Sequence, residues 1–202
     1  QKRRDLLDPW RLLVHDVLYR QYSLAFLVFG LGALLIAPLV PILIVDELQL
    51  SYSQVGVLGM INSVFWMVFY IVWGRTVDRR GGFWTIQVNF LLTIGMALSF
   101  FLARDMGTAA IGYIFTGITT AGIDLGWMNA IMQFASKDRI SDYAVVHAGF
   151  VGLRGVISPL LGTALMAVPW IGLRGVFLIS ASVMLVGWLM LRRVRLPERA
   201  AE

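Results

Sequence analysis

The sequence contains no cysteine, and only 14% of its 202 residues are charged. Without cysteine there is no disulfide and no thiolate metal site, and the redox compartment stays unread. The only two histidines, His15 and His147, lie far apart in sequence, so no metal site is supported. There is no Walker-type phosphate loop, so ATP-driven work finds no support and no cofactor is expected. No cleavable signal peptide is visible in the basic, polar opening QKRRDLLDPW, and a start on glutamine suggests a piece of a longer chain. The scarcity of charge excludes most. Soluble domains carry about 25% charged residues, whereas this chain is 58% hydrophobic with a mean hydropathy of +0.77. That composition predicts an integral membrane protein.

What is present is a series of apolar runs long enough to cross the ~30 Å hydrocarbon core. Six spans are expected, near residues 23–45, 55–73, 83–103, 108–134, 143–168 and 172–191, joined by short polar or glycine-bearing stretches. The predicted fold class is therefore an all-α membrane protein. The expected organisation is a cytoplasmic connector over 1–22, a six-helix transmembrane bundle over 23–191 and a cytoplasmic tail over 192–202. Within the connector, DPWRLLVHDVLYRQY reads as a short amphipathic surface helix with Trp10, Leu13, Val14 and Leu18 on its apolar face. His15 in that stretch reads as an interfacial side chain.

Basic residues orient the spans. Fourteen of the 17 lysines and arginines flank one side of the expected bundle, while Arg104 and Arg174 fall on the other and Arg154 lies within a span. By the positive-inside rule the rich side is cytoplasmic, and both termini lie there. The net charge of +5 is distributed loop by loop rather than over one soluble surface, which argues against nucleic acid. The expected location is a bacterial cytoplasmic (inner) membrane.

One joint has a pattern of its own. Residues 74 to 82 read GRTVDRRGG, with Gly74, Asp78, Arg79 and Gly81 following the second span on the cytoplasmic side. Physically, Gly74 would let the second span approach a neighbour, and Gly81 would permit a tight turn. Asp78 would accept hydrogen bonds from the open N–H groups at the start of the fifth span. Arg79 would reach a carboxylate or helix carbonyls. Topology-fixing charge alone explains the arginines, but not the aspartate and glycines at this spacing. The stretch resembles the signature loop of the major facilitator superfamily, although Gly82 and Phe83 stand where that signature has a basic pair.

The resemblance implies one six-helix half of a twelve-span transporter. Residues 108–122 lack the arginine usual in the fourth span of the N-terminal half, and YAVVHAGFVGLRGVISPLLG resembles a penultimate span. Both point to the C-terminal half, with the N-terminal half as the competing placement. The resemblance further implies secondary active transport of a small solute by alternating access, as symporter or antiporter, without enzymatic activity. The chain would supply half of the cavity wall and the gating loop Gly74, Asp78, Arg79 and Gly81. Its partners would be the solute, the bilayer and a second six-helix half, N-terminal in the same full-length chain. The alternative is a scaffold or receptor that keeps the fold without transport.

Ionisable groups within spans are functional candidates by default. Asp124 and Arg154 are expected at a similar depth, ~15 and ~17 Å from the cytoplasmic face at 1.5 Å per residue, so a pair is predicted. The pair would either stabilise the bundle or face the cavity, where Arg154 suits an anion and Asp124 a coupling proton. His147 and Asn129 share another depth; His147 would relay protons or bond structurally to Asn129 or Tyr143.

Overall fold

The computed structural model describes residues 9 to 195, and every regular element among them is helical. A 3₁₀ turn (Pro9–Arg11) leads into a four-residue helix, α1 (Leu12–His15). Asp16 then leaves helical geometry (φ −105°, ψ 95°), and its carboxylate accepts the backbone N–H of Tyr19 at 2.9 Å. This is an N-cap, and it starts α2 (Val17–Leu35) earlier than the apolar run alone suggests. The lead-in is thus not one amphipathic helix. Leu12 takes the buried position, Val14 is 69% exposed, and Tyr19 and Tyr22 already belong to the core.

Prolines interrupt the first span. Pro38 and Pro41 bring no N–H to the helix ladder, and α2 ends at Leu35. The chain turns over 36–38, resumes as α3 (Leu39–Ile42) and finishes in a π-helical segment (Leu43–Glu47).

A capping box between Ser51 and Gln54 opens α4 (Tyr52–Leu102), 51 residues long. At 1.5 Å per residue a straight helix of that length would run ~77 Å, more than twice the bilayer core. It is not straight. Gly81 sits at φ 81°, ψ 164°, a backbone region essentially reserved for glycine. The contacts with α5 (Met106–Phe134) show the chain doubling back there. In the first leg, Asn62 meets Gly117 and Trp73 meets Gly122; in the second, Gly82 meets Ala130, Ile86 meets Gly126 and Phe100 meets Gly112. The two legs run past α5 in opposite directions. A 3₁₀ turn (Lys137–Arg139), α6 (Ile140–Met166) and α7 (Gly172–Arg192) complete the bundle. Five helices are long and apolar enough to cross a membrane, and the fold in α4 gives six crossings.

Between helices in lipid there is little hydrophobic drive, so small residues and close backbones take its place. Gly187 of α7 lies against the backbone of Phe29, and Gly32 lies against the Ser180 carbonyl and Met184. Ser180 Oγ donates to the Gly32 carbonyl at 2.8 Å. Gly162 of α6 sits on the Leu35 carbonyl, at the break in the first span. Each end of the bundle is also tied. At one, Arg174 Nε donates to Glu47 at 2.6 Å, Nη2 to the Ala103 carbonyl at 2.6 Å and Nη1 to the Phe101 carbonyl. At the other, Tyr143 Oη donates to Asp16 at 2.6 Å, beside the rings of Tyr19, Tyr22, Phe83 and Phe134.

Candidate functional site: a cavity inside the six-helix bundle

The break in the first span faces a cavity of about 540 Å³. Drug-sized ligand pockets span ~300–1,000 Å³. Its walls come from α2, α3, the second leg of α4 and α5, with Arg154 entering from α6. Phe29, Met96, Phe100 and Ile123 make it apolar; Asn89, Thr93, Thr116, Thr119 and Thr120 make it polar in places. Three of the four threonine protons are used locally. Thr93 donates to the Asn89 carbonyl at 2.9 Å, Thr116 to Gly112 at 2.8 Å and Thr119 to Phe115 at 2.8 Å, each one turn back. Asn89 Nδ2 bridges to the Thr119 carbonyl at 2.8 Å, joining α4 to α5.

Arg154 is the one formal charge among the lining residues. Its Nη1 donates to the Phe26 carbonyl at 3.0 Å, and the guanidinium carbon lies 4.8 Å from the centroid of the Phe26 ring. Gly30, one turn further along α2, makes this possible. A Cβ there would overlap the Arg154 guanidinium. Nε is buried without a hydrogen-bond partner.

The predicted pair of Asp124 and Arg154 does not form. Asp124 projects to the outside of the bundle, where Trp66 Nε1 of the first α4 leg donates to its carboxylate at 3.1 Å. The two groups leave their helices in different directions despite the expected shared depth. His147 and Asn129 are likewise separate. His147 is buried between rings, stacked on Trp127 (5.1 Å, 10°) and edge-on to Phe26 (4.6 Å, 69°). Asn129 donates to the Leu125 carbonyl of its own helix at 2.7 Å, and the Tyr143 hydroxyl goes to Asp16.

In the loop, Gly81 is the turn, as its spacing suggests. Gly74 has open space where a Cβ would stand, so it touches no neighbour among the described residues. Asp78 and Arg79 are exposed, and neither has a hydrogen bond or ion pair among those residues. Asp78 does not cap α6, whose N-terminus has no side-chain cap. A residue that the sequence pattern did not mark does the local work: Gln133 Oε1 accepts the backbone N–H of Phe83 at 2.9 Å. That N–H opens the second leg and has no carbonyl one turn back, because the helix restarts after Gly81. The only hint in the sequence is a polar glutamine in the last turn of an apolar span.

A family model described as Major Facilitator Superfamily matches residues 22–202. The chain belongs to this superfamily. No curated protein matches the chain. Major facilitator proteins are membrane transporters of solutes rather than enzymes, and an all-helical membrane bundle with the signature-like loop between its second and third spans is the corresponding architecture.

Proposed function

We propose that the chain is one six-helix half of a secondary transporter, the C-terminal one, moving a small solute by alternating access against a second half. The observation that carries this reading is Asp124. A carboxylate in the interior of a span that faces away from its own bundle is costly against lipid. It is tolerable against a water-filled cavity or another protein segment.

The surrounding surface supports the same reading. Gly56, Gly59 and Gly74 on the first leg of α4 and Gly152 and Gly155 on α6 have no atom near the position of a Cβ. At the packed glycines described above, atoms of a neighbouring helix already stand at that position. Open small-residue faces suit close approach by further helices. On this reading Asp124 and Trp66 border the central cavity, and Asp78 and Arg79 meet the second half when the cytoplasmic side closes. The basic ends, and both termini, lie in the cytoplasm of a bacterial inner-membrane protein; Asp124 carries the coupling ion, and symport or antiport follows from whether that ion crosses with the solute or against it.

These 202 residues contain no cysteine, so once any cysteine elsewhere in the full-length chain is replaced by serine, a single introduced cysteine reports alone. Ser63→Cys and Ala148→Cys, on the two open faces, should react with a membrane-impermeant maleimide in vesicles of the full-length protein. Reactivity should appear from each side of the membrane and shift with added solute. Leu185→Cys, exposed on α7, should stay unlabelled as a lipid-facing control. If Ser63→Cys and Ala148→Cys are as inert as Leu185→Cys, these faces border lipid and the cavity reading fails.

A further inference from the structure

We propose that the cavity around Arg154 is a binding site for an organic anion with an apolar body, its acidic group taken by the Arg154 guanidinium. The proposal rests on the transport reading only in naming the solute as an anion; binding itself does not require transport.

Three observations converge. The first is charge. Arg154 lies well within α6, and its counterpart Asp124 is engaged elsewhere by Trp66. No acidic residue lines the cavity. An arginine in this setting has one neutral carbonyl, an aromatic face and a buried Nε without a partner. Nη2 also makes no hydrogen bond among the described residues, and it is not sealed from the surface as Nε is. An uncompensated charge away from water is expensive, and a carboxylate, sulfonate or phosphate would both neutralise it and occupy the free donors.

The second is placement. The guanidinium does not hang at random in the bundle. Gly30 leaves space for it against α2, the Phe26 carbonyl fixes one nitrogen, and the Phe26 ring covers the flat face. Such fixing of a planar donor reduces the ordering cost when a ligand arrives. Gly30 is thus a positioning residue for Arg154.

The third is the body of the cavity. Beyond Arg154 the wall is formed by Phe29, Ala33, Met96 and Ile123, and it ends at the interrupted helix near Ala37 and Pro41. Thr93, Thr116 and Thr119 have given their protons to backbone carbonyls, whereas the hydroxyls of Tyr113 and Thr120 make no hydrogen bond among the described residues and stand as neutral donors. No second cation lines the cavity beyond the Arg154 end. With one cation and a mainly apolar wall, an amphipathic monoanion fits better than a dianion.

The test compares acids with their uncharged amides on the full-length protein in nanodiscs. The probes are radiolabelled 3-phenylpropionate and octanoate, each beside its amide, with empty nanodiscs subtracted, in equilibrium dialysis at neutral pH. The acids should bind at least tenfold tighter than the amides. Arg154→Gln should abolish that preference, and Gly30→Ala, which leaves the charge but displaces the guanidinium, should reduce it at least threefold. Melting curves establish that each variant is folded. Should either variant not fold, the acid-to-amide ratio of the unmodified protein still decides.

Equal binding of acid and amide, or no binding of either acid at millimolar concentration, overturns the proposal. That is also the result expected if a carboxylate from elsewhere in the full-length chain neutralises Arg154. Arg154-dependent acid binding without the two-sided labelling described above would leave the site standing and remove the transport reading. Two-sided labelling without acid preference would do the reverse.

Discussion

Gln133 at the end of α5 accepts the backbone N–H of Phe83, and a Cβ on Gly81 would run into the same amide group. One side chain therefore serves the turn in two ways, as acceptor for the restarting helix and as the wall that excludes a larger residue. Gly81→Ala should destabilise the bundle through both the unfavourable φ and this overlap, by roughly 1–3 kcal/mol for the backbone part. Gln133→Ala should cost about 1–3 kcal/mol by leaving a buried donor unpaired. The double variant should be less unstable than the sum, because removing Gln133 relieves the overlap. Thermal unfolding in detergent of all three measures the coupling; strict additivity would show that the overlap has no energetic weight.

At the opposite end, Arg174 gathers three joints of the bundle. The ion pair with Glu47 is partly exposed, so Glu47→Gln should cost no more than about 1 kcal/mol. The two carbonyls are a different matter. Arg174→Ala removes charge-assisted donors from Phe101 and Ala103 together, and a loss of about 2–3 kcal/mol is expected. Arg174→Lys should recover little, since an ammonium lacks the fork that reaches both carbonyls and Glu47. Equal stabilities for Glu47→Gln and Arg174→Ala would place the whole effect in the ion pair.

Asp105 caps α5. The Thr108 backbone N–H at 2.9 Å, helped by the Thr108 hydroxyl, holds its carboxyl below the usual carboxylate range. A depressed folded pKa means the cap contributes fully above the unfolded value and is lost as pH falls through the folded one. Acidification should therefore loosen the first turn of α5 in the unmodified protein. Asp105→Asn, which caps without titrating, should show no such transition. Fluorine NMR of a label placed at Gly107→Cys follows that turn, and identical pH profiles for the two proteins would exclude the cap as the cause.

Glycines should divide sharply when replaced. Gly162→Ala puts a methyl onto the Leu35 carbonyl, which cannot move aside as a flexible side chain would. It should lower stability by at least 1–3 kcal/mol, the usual cost of overpacking. Gly152→Ala and Gly155→Ala meet open space. They should leave stability unchanged or raise it by up to about 1 kcal/mol through helix propensity, while impairing transport by the full-length protein. Melting temperature and flux should thus separate; parallel losses in both would mean these glycines are packed like the others.

The sequence carried the helix count, the joints and the turn at Gly81, because apolar run length and glycine spacing act locally. It did not carry side-chain partners. Depth along a helix follows from 1.5 Å per residue, but the direction in which a side chain leaves follows from packing. Asp124 and Arg154 accordingly share an expected depth and point to different neighbours. Arg154 took a backbone carbonyl beside Gly30, an acceptor that a tally of charged residues omits. His147 took aromatic faces instead of Asn129 for the same reason. The early start of α2 was written in the sequence as an aspartate three residues before Tyr19, within a stretch whose apolar spacing also suits a surface helix.

The first span finds its main surface in the last. Gly32 and Ser180 are 148 residues apart in the chain, and Gly187 closes on Phe29 from the same late helix. At synthesis rates of about 5–20 residues per second, the partner of α2 emerges roughly 7–30 s after α2 itself. Throughout that interval the face of α2 that carries Phe29 and Gly32 must be shielded by lipid, by the insertion machinery or by α4 and α5. A premature stop before α7 would release a membrane fragment with that face uncovered, a ready target for quality-control proteases.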